Sequence, residues 1–220
     1  MKDEGSRWLP LFPLQMVLFP SEQVPLHIFE PRYRALLRRC QEHEEPFGLV
    51  LYRDGRPVAV GCEARVERIL TSYPDGRADI LVRGAKRFRA TSYRQHSEGY
   101  LEGKVEPLPD SAEAPDPQAA QALLRIFEQF LHVQRGSADA TGGAASDPVS
   151  IDPARGYTFL VGARCPLNLE ERQSLLELGS ESEREQFLIQ RLVKVIPRLI
   201  QHQADQIRVK GNGRVGGQLT

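Results

Sequence analysis

The sequence predicts an α+β fold, with a small closed or half-closed β structure in the first half and a bundle of helices in the second. Three observations carry this expectation. Roughly six short apolar runs, separated by turn signals, occupy the stretch up to Val105. From Ala120 onward the apolar residues recur at helical spacing instead. Between these regions, at Pro107, the composition shifts to a Pro-, Asp- and Ala-rich linker, EPLPDSAEAPDP. The expected division is a β domain over residues 1–107 and a helical domain over 108–208. The latter contains a mobile loop at about 136–150, where GSADATGGAASDPVS has little apolar bulk, and a disordered tail follows at 209–220.

The stretch Leu9–Tyr33, LPLFPLQMVLFPSEQVPLHIFEPRY, organises the β half. Pro10, Pro13, Pro20, Pro25 and Pro31 each fix φ and remove a donor, so its apolar runs read as short strands with bends, bulges or edges. Val24, Leu26 and Ile28 share one strand face. After Glu30-Pro31, the residues Tyr33, Leu36, Leu37 and Cys40 form the stripe of a short helix. Pro46–Arg53 is a strand ending at the Asp54-Gly55 turn. Pro57–Leu70 alternates, with Val58, Val60, Cys62, Ala64 and Val66 on one side. Tyr73-Pro74-Asp75-Gly76 is a turn, and Ala78–Val82 returns from it. Gly84 breaks the pattern, Arg87–Tyr93 is a further strand, and Tyr100–Val105 is the last.

In the second half, Asp116-Pro117 supplies an N-cap and an N1 proline for a helix carrying Ala120, Leu123, Leu124, Phe127, Phe130 and Leu131. Asp152-Pro153 repeats the signal for a helix through Phe159 and Val161. Asn168 and Glu171 have capping-box spacing, with Gly179 as the stop. Ser180 and Glu183 open the last helix, with Phe187, Leu188, Leu192, Val195 and Ile196 as its stripe. Pro197 is expected to kink or break it.

The function classes narrow by exclusion. Lys plus Arg and Asp plus Glu both number 29, and this balance argues against a dedicated nucleic-acid or anionic-membrane binder. No apolar run reaches the ~18 residues of a membrane span, and MKDEGSRW lacks a signal peptide's apolar core. The expected location is the cytoplasm. Cys40, Cys62 and Cys165 are far apart and read as buried free thiols. The five histidines supply neither ligand spacing nor an HExxH, so no metal or cofactor is expected. Gly211, Gly213 and Gly216 spell GxGxxG without the βαβ context that a dinucleotide needs. No phosphate-binding loop is present: Gly103-Lys104 is followed by Val105, and Glu98 stands where the first glycine belongs. No catalytic residue is assigned.

The run PLFPLQMVLFPSEQVPLHIFEPRYRALL resembles the opening of the Lon protease N-terminal domain, the substrate-recognition module. FGLVL, VAVGCEARVERIL, ILVRGAKRFRA and the helical CPLNLEERQSLLELGSESEREQFLIQRLVKVIP continue the resemblance in order, over about residues 9–200. The resemblance implies a PUA-like pseudo-barrel of bacterial type that binds unfolded or apolar protein segments, with a protease or chaperone as a further partner. The ATPase and peptidase modules of full-length Lon are not in this chain, so enzymatic activity is not carried over. Trp8, Phe12, Met16, Phe19 and Phe29 are the expected peptide-binding residues, because one strand region cannot point all of them into a small barrel. The alternative is an RNA-binding module using the basic cluster Arg83, Lys86, Arg87, Arg89 and Arg94, whose bland counterpart is a solvated outer face with Phe88 in the core.

Overall fold

The computed structural model describes residues 5–111, 116–138 and 156–212. Within them lie β1 (Arg7–Leu14), β2 (Gln23–Ile28), α1 (Pro31–His43), β3 (Phe47–Arg53), β4 (Arg56–Ser72), β5 (Ala78–Gln95) and β6 (Leu101–Pro107). Four helices follow: α2 (Pro117–Ala138), α3 (Tyr157–Arg164), α4 (Leu169–Glu177) and α5 (Glu181–Asn212). The α+β expectation holds.

The sheet order is β2-β5-β4-β3-β1-β6, and β5 also pairs with β6, so β5, β4, β3, β1 and β6 close into a five-stranded barrel. β1 and β3 run parallel, while every other pairing is antiparallel. The prolines of β1 fit because the strand is staggered. Arg7–Leu11 pairs with β6 and Leu11–Leu14 pairs with β3, so only Leu11 has partners on both sides. Pro10 and Pro13 therefore each keep one open edge, where a missing N–H costs nothing.

The barrel interior is small and is filled by Leu9, Leu11, Val50, Phe88, Ala90 and Val105. Glycines on two neighbouring strands make the room. A Cβ on Gly48 would lie 2.6 Å from Leu11 and 2.7 Å from Phe88, and one on Gly61 would lie 2.7 Å from Phe88. Large side chains on one wall thus face backbone on the other. A second core lies outside the barrel, where Tyr33, Leu36, Leu37 and Cys40 of α1 pack with Phe12, Ile28, Phe47, Leu49 and Ile80. The α1 stripe is the one its spacing predicts.

Gly84 does not end a strand, and β5 runs unbroken from Ala78 to Gln95. The glycine is instead a point of close approach. A Cβ there would fall 2.0 Å from the Phe19 carbonyl oxygen, and Gly84 exchanges backbone hydrogen bonds with Ser21 and Glu22, both at 2.9 Å.

The expected division of the chain also changes. The strands, α1, α3 and α4 form one compact unit, and α2 and α5 form another. Helices α3 and α4 belong with the barrel because their polar groups end on it. Arg172 donates to the Val17 carbonyl and the Glu22 carboxylate, and Gln173 donates to the Val60 carbonyl. Phe159 packs against Phe19 with ring centroids 5.6 Å apart. The capping box of α4 forms as its spacing predicts, with Asn168 and Glu171 exchanging bonds of 2.8 Å.

In the second unit, Leu123, Phe127 and Phe130 of α2 and Leu188, Leu192 and Ile196 of α5 are buried. α5 is continuous through Pro197. Val193, four residues earlier, is exposed, so water can take the carbonyl that the proline leaves without a donor. The helix continues to Asn212, so the first residues of the expected tail are helical. Residues 139–155, which hold most of the expected mobile loop and the Asp152-Pro153 cap, lie outside the described residues, as do residues 213–220.

Candidate functional site

The five aromatic and Met residues singled out from sequence do not form one surface. Phe12 and Phe19 are buried. Phe12 packs on Tyr33 and Phe47, whereas Phe19 packs on Phe159 beneath the Arg172 guanidinium. Met16 is half-buried against the outer core. Trp8, 37% exposed, is capped by Arg94, whose guanidinium carbon lies 3.9 Å from the ring centroid. Phe29, 58% exposed, stacks on His27. Not all five are buried, but Phe12 and Phe19 are, because α1 and α3 supply cover that the strand pattern does not show.

A cleft of about 400 Å³ opens instead at the mouth of the barrel. Pro13 comes from the end of β1, Arg32 and Tyr33 from the first turn of α1, and Tyr52 from β3. Gly55 and Pro57 flank the β3–β4 turn, and Gln95, Gly99 and Leu101 surround the β5–β6 turn. Each wall has a local cause. Asp54 and Gly55 adopt φ of 53° and 77°, the two-residue hairpin that Asp-Gly favours. Tyr52 donates to the Gly55 carbonyl at 2.8 Å and is thereby held over that turn. Tyr33 is fixed by Phe12, with ring centroids 4.0 Å apart, and burial pushes its phenol above the ordinary range. The Arg32 guanidinium lies over the Tyr33 ring, 4.5 Å from its centroid. Leu101 packs on the barrel interior and forms part of the floor. The signal available in sequence was Tyr52, a large aromatic placed just before a tight turn.

A second, more polar cleft of about 600 Å³ is lined by Arg39, Glu42, His43, Glu45, Arg94, His96, Glu98 and Glu102. Its centre is Glu102, almost fully buried. One carboxylate oxygen accepts from Arg39 at 2.8 Å and the other from Arg94 at 2.7 Å. Burial alone would push the Glu102 carboxyl up, but the two arginine hydrogen bonds outweigh it and hold the group below the usual range. Tyr100 bonds to Arg39 at 2.9 Å and stacks on His96.

The basic cluster is largely committed within the fold. Arg83 pairs with Glu67 at 2.8 Å and Arg94 with Glu102. Arg87 is not on a solvated face, as alternation had placed it. It is buried, donates to the carbonyls of Leu176 and Leu178 at 2.7 and 2.6 Å, and pairs with Asp110. Phe88 is in the core, as expected.

Neither cleft has serine or cysteine among its described lining residues. Burial pushes the Cys40 thiol up to about 11 and that of Cys62 up to about 12, so neither is a thiolate at neutral pH. Among the described residues, no three His, Cys, Asp or Glu side chains are grouped to hold a metal, and no helix is long and apolar enough to cross a membrane.

Residues 8–194 match the family model of the ATP-dependent protease La (LON) substrate-binding domain. The chain belongs to this family. The Lon N-terminal domain protein from Xanthomonas campestris superposes with a TM-score of 0.65 at 29% identity, covering 83% of this chain and 97% of that one. The N-terminal domain of Mycobacterium avium complex Lon protease shares the fold, with a TM-score of 0.62 at 19% identity, covering 85% of this chain and 98% of that one. Lon protease 1 of Bacillus subtilis is 24% identical over 195 residues, 84% of this chain but 24% of that protein. Lon protease 2 of Herpetosiphon aurantiacus is 27% identical over 189 residues, 80% of this chain and 22% of that protein. The chain thus spans about a quarter of the length of these two Lon proteases.

Proposed function

We propose that this chain is a non-catalytic recognition module for unfolded or apolar protein segments, and that the barrel-mouth cleft receives them. Membership of the Lon substrate-binding family supports the class of function. The observation that carries the site is the lining of the cleft: the exposed Tyr52 ring and two half-buried prolines present apolar faces at the mouth of a barrel, with an amide and a guanidinium beside them. Concave, mostly apolar surfaces with a few polar groups are where proteins hold ligands, and tyrosine supplies contact area at low entropic cost. A protease or chaperone acting on the captured segment is the second partner this function calls for. The three buried free cysteines accord with a reducing compartment such as the cytoplasm.

The test is binding of a labelled, permanently unfolded protein, followed by fluorescence anisotropy. The wild-type chain should bind, and Tyr52→Ala should weaken binding about tenfold, equivalent to about 1.4 kcal/mol, without a change in the melting curve. Equal affinity of the two proteins would remove the cleft from the proposal, and no binding by the wild type would remove the function.

A further inference from the structure

The cleft has a polarity that general apolar recognition does not require. Arg32 is the one charged side chain among its described lining residues. The guanidinium is stationed at the wall by its stacking on Tyr33. Its resident partner is Glu30, two residues away, at 2.8 Å, with side-chain exposures of 48% and 37%. So exposed a pair between near neighbours in sequence contributes little, and an incoming carboxylate can replace Glu30 at small cost. Glu30 is also the N-cap residue of α1, yet its side chain makes no capping hydrogen bond that an exchange of partners would break.

Among the uncharged polar groups of the lining, the Gln95 amide can both donate to and accept from a peptide backbone. The apolar surface left open is made of the exposed Tyr52 ring with Pro13, Pro57 and Leu101, which suit a flat ring. We propose that the segment this cleft selects carries an aromatic residue beside an acidic one, with the ring against Tyr52 and the two prolines and the carboxylate on Arg32. The inference rests on the recognition function proposed above. It adds that the preferred neighbour of the apolar residue is negatively charged.

Three labelled peptides of matched length test this on the full chain: one with a Glu-Phe pair, one with Lys-Phe and one with Glu-Ala. The Glu-Phe peptide should bind about tenfold tighter than Lys-Phe at low salt. That gap should narrow as salt screens the exposed charges, and Glu-Ala should bind weakest. Arg32→Gln should make the two Phe peptides equal while keeping the preference for Phe over Ala. Glu30→Gln, which removes the competing carboxylate, should tighten Glu-Phe further. Equal binding of Glu-Phe and Lys-Phe by the wild type, or a preference that survives Arg32→Gln, would overturn the carboxylate contact and leave the recognition function standing. Glu-Ala binding as well as Glu-Phe would overturn the placement of the ring. Failure of all three peptides to bind would overturn the function itself.

Discussion

Glu102 is the residue whose surroundings most constrain it. Its carboxylate is buried and both oxygens are taken by arginines, one of which is also stacked on Trp8. A carboxylate held below its ordinary value stabilises the fold fully above the unfolded value, about 4.3 for glutamate. That contribution is lost as pH falls through the lower folded value. The chain should therefore lose stability on acidification below about pH 4.3. Glu102→Gln should flatten that part of the profile and cost about 2 kcal/mol at neutral pH, the scale of hydrogen bonds to a charged group. Urea titrations of both proteins across the acid range measure it, and parallel profiles would exclude Glu102 as the titrating group. The sequence shows Glu102 only as one of several charges on a short strand. Its burial comes from Arg39 on α1 and Arg94 on β5, 63 and eight positions away.

At the scale of elements, α4 is held by Arg87. A buried guanidinium reaches the carbonyls at that helix's C-terminal end, where the unsatisfied C=O groups and the dipole favour a cation. Arg87→Met removes the charge and its bonds to those carbonyls, and should destabilise the chain by about 3 kcal/mol, the scale of hydrogen bonds to a charged group. Amide exchange should accelerate first in α4. If exchange in α4 stays unchanged, Arg87 does not hold the helix. Much of this level was legible in advance: the α1 stripe, the Asp54-Gly55 turn and the Asn168–Glu171 capping box are local patterns that read the same in sequence and in structure. Alternation correctly separated Phe88 from Arg87. It could not say that a helix some 90 positions later would cover the arginine side, and it therefore left Arg87 in solvent. The cleft was illegible for the same reason, since its walls come from α1 and both hairpin ends, and no window of sequence contains them together.

For the whole molecule, the barrel unit is discontinuous in sequence: the chain leaves it after β6 and re-enters for α3 and α4. Composition pointed to a boundary at Pro107, but Phe19, Val17 and Arg87 all meet partners from residues 159–178. A fragment ending at Pro107 should thus bind a hydrophobic dye and lack a cooperative unfolding transition, whereas one ending at Ser180 should unfold cooperatively. A sharp transition in the shorter fragment would show the barrel to be self-sufficient. The same discontinuity sets a timetable during translation. At about 5–20 residues per second, the ribosome needs roughly 4–15 s to pass from Pro107 to Ser180, and through that interval all six strands have been made while Phe19 is still without its cover. A module proposed to bind the exposed apolar segments of other proteins is, while it is being made, such a segment itself.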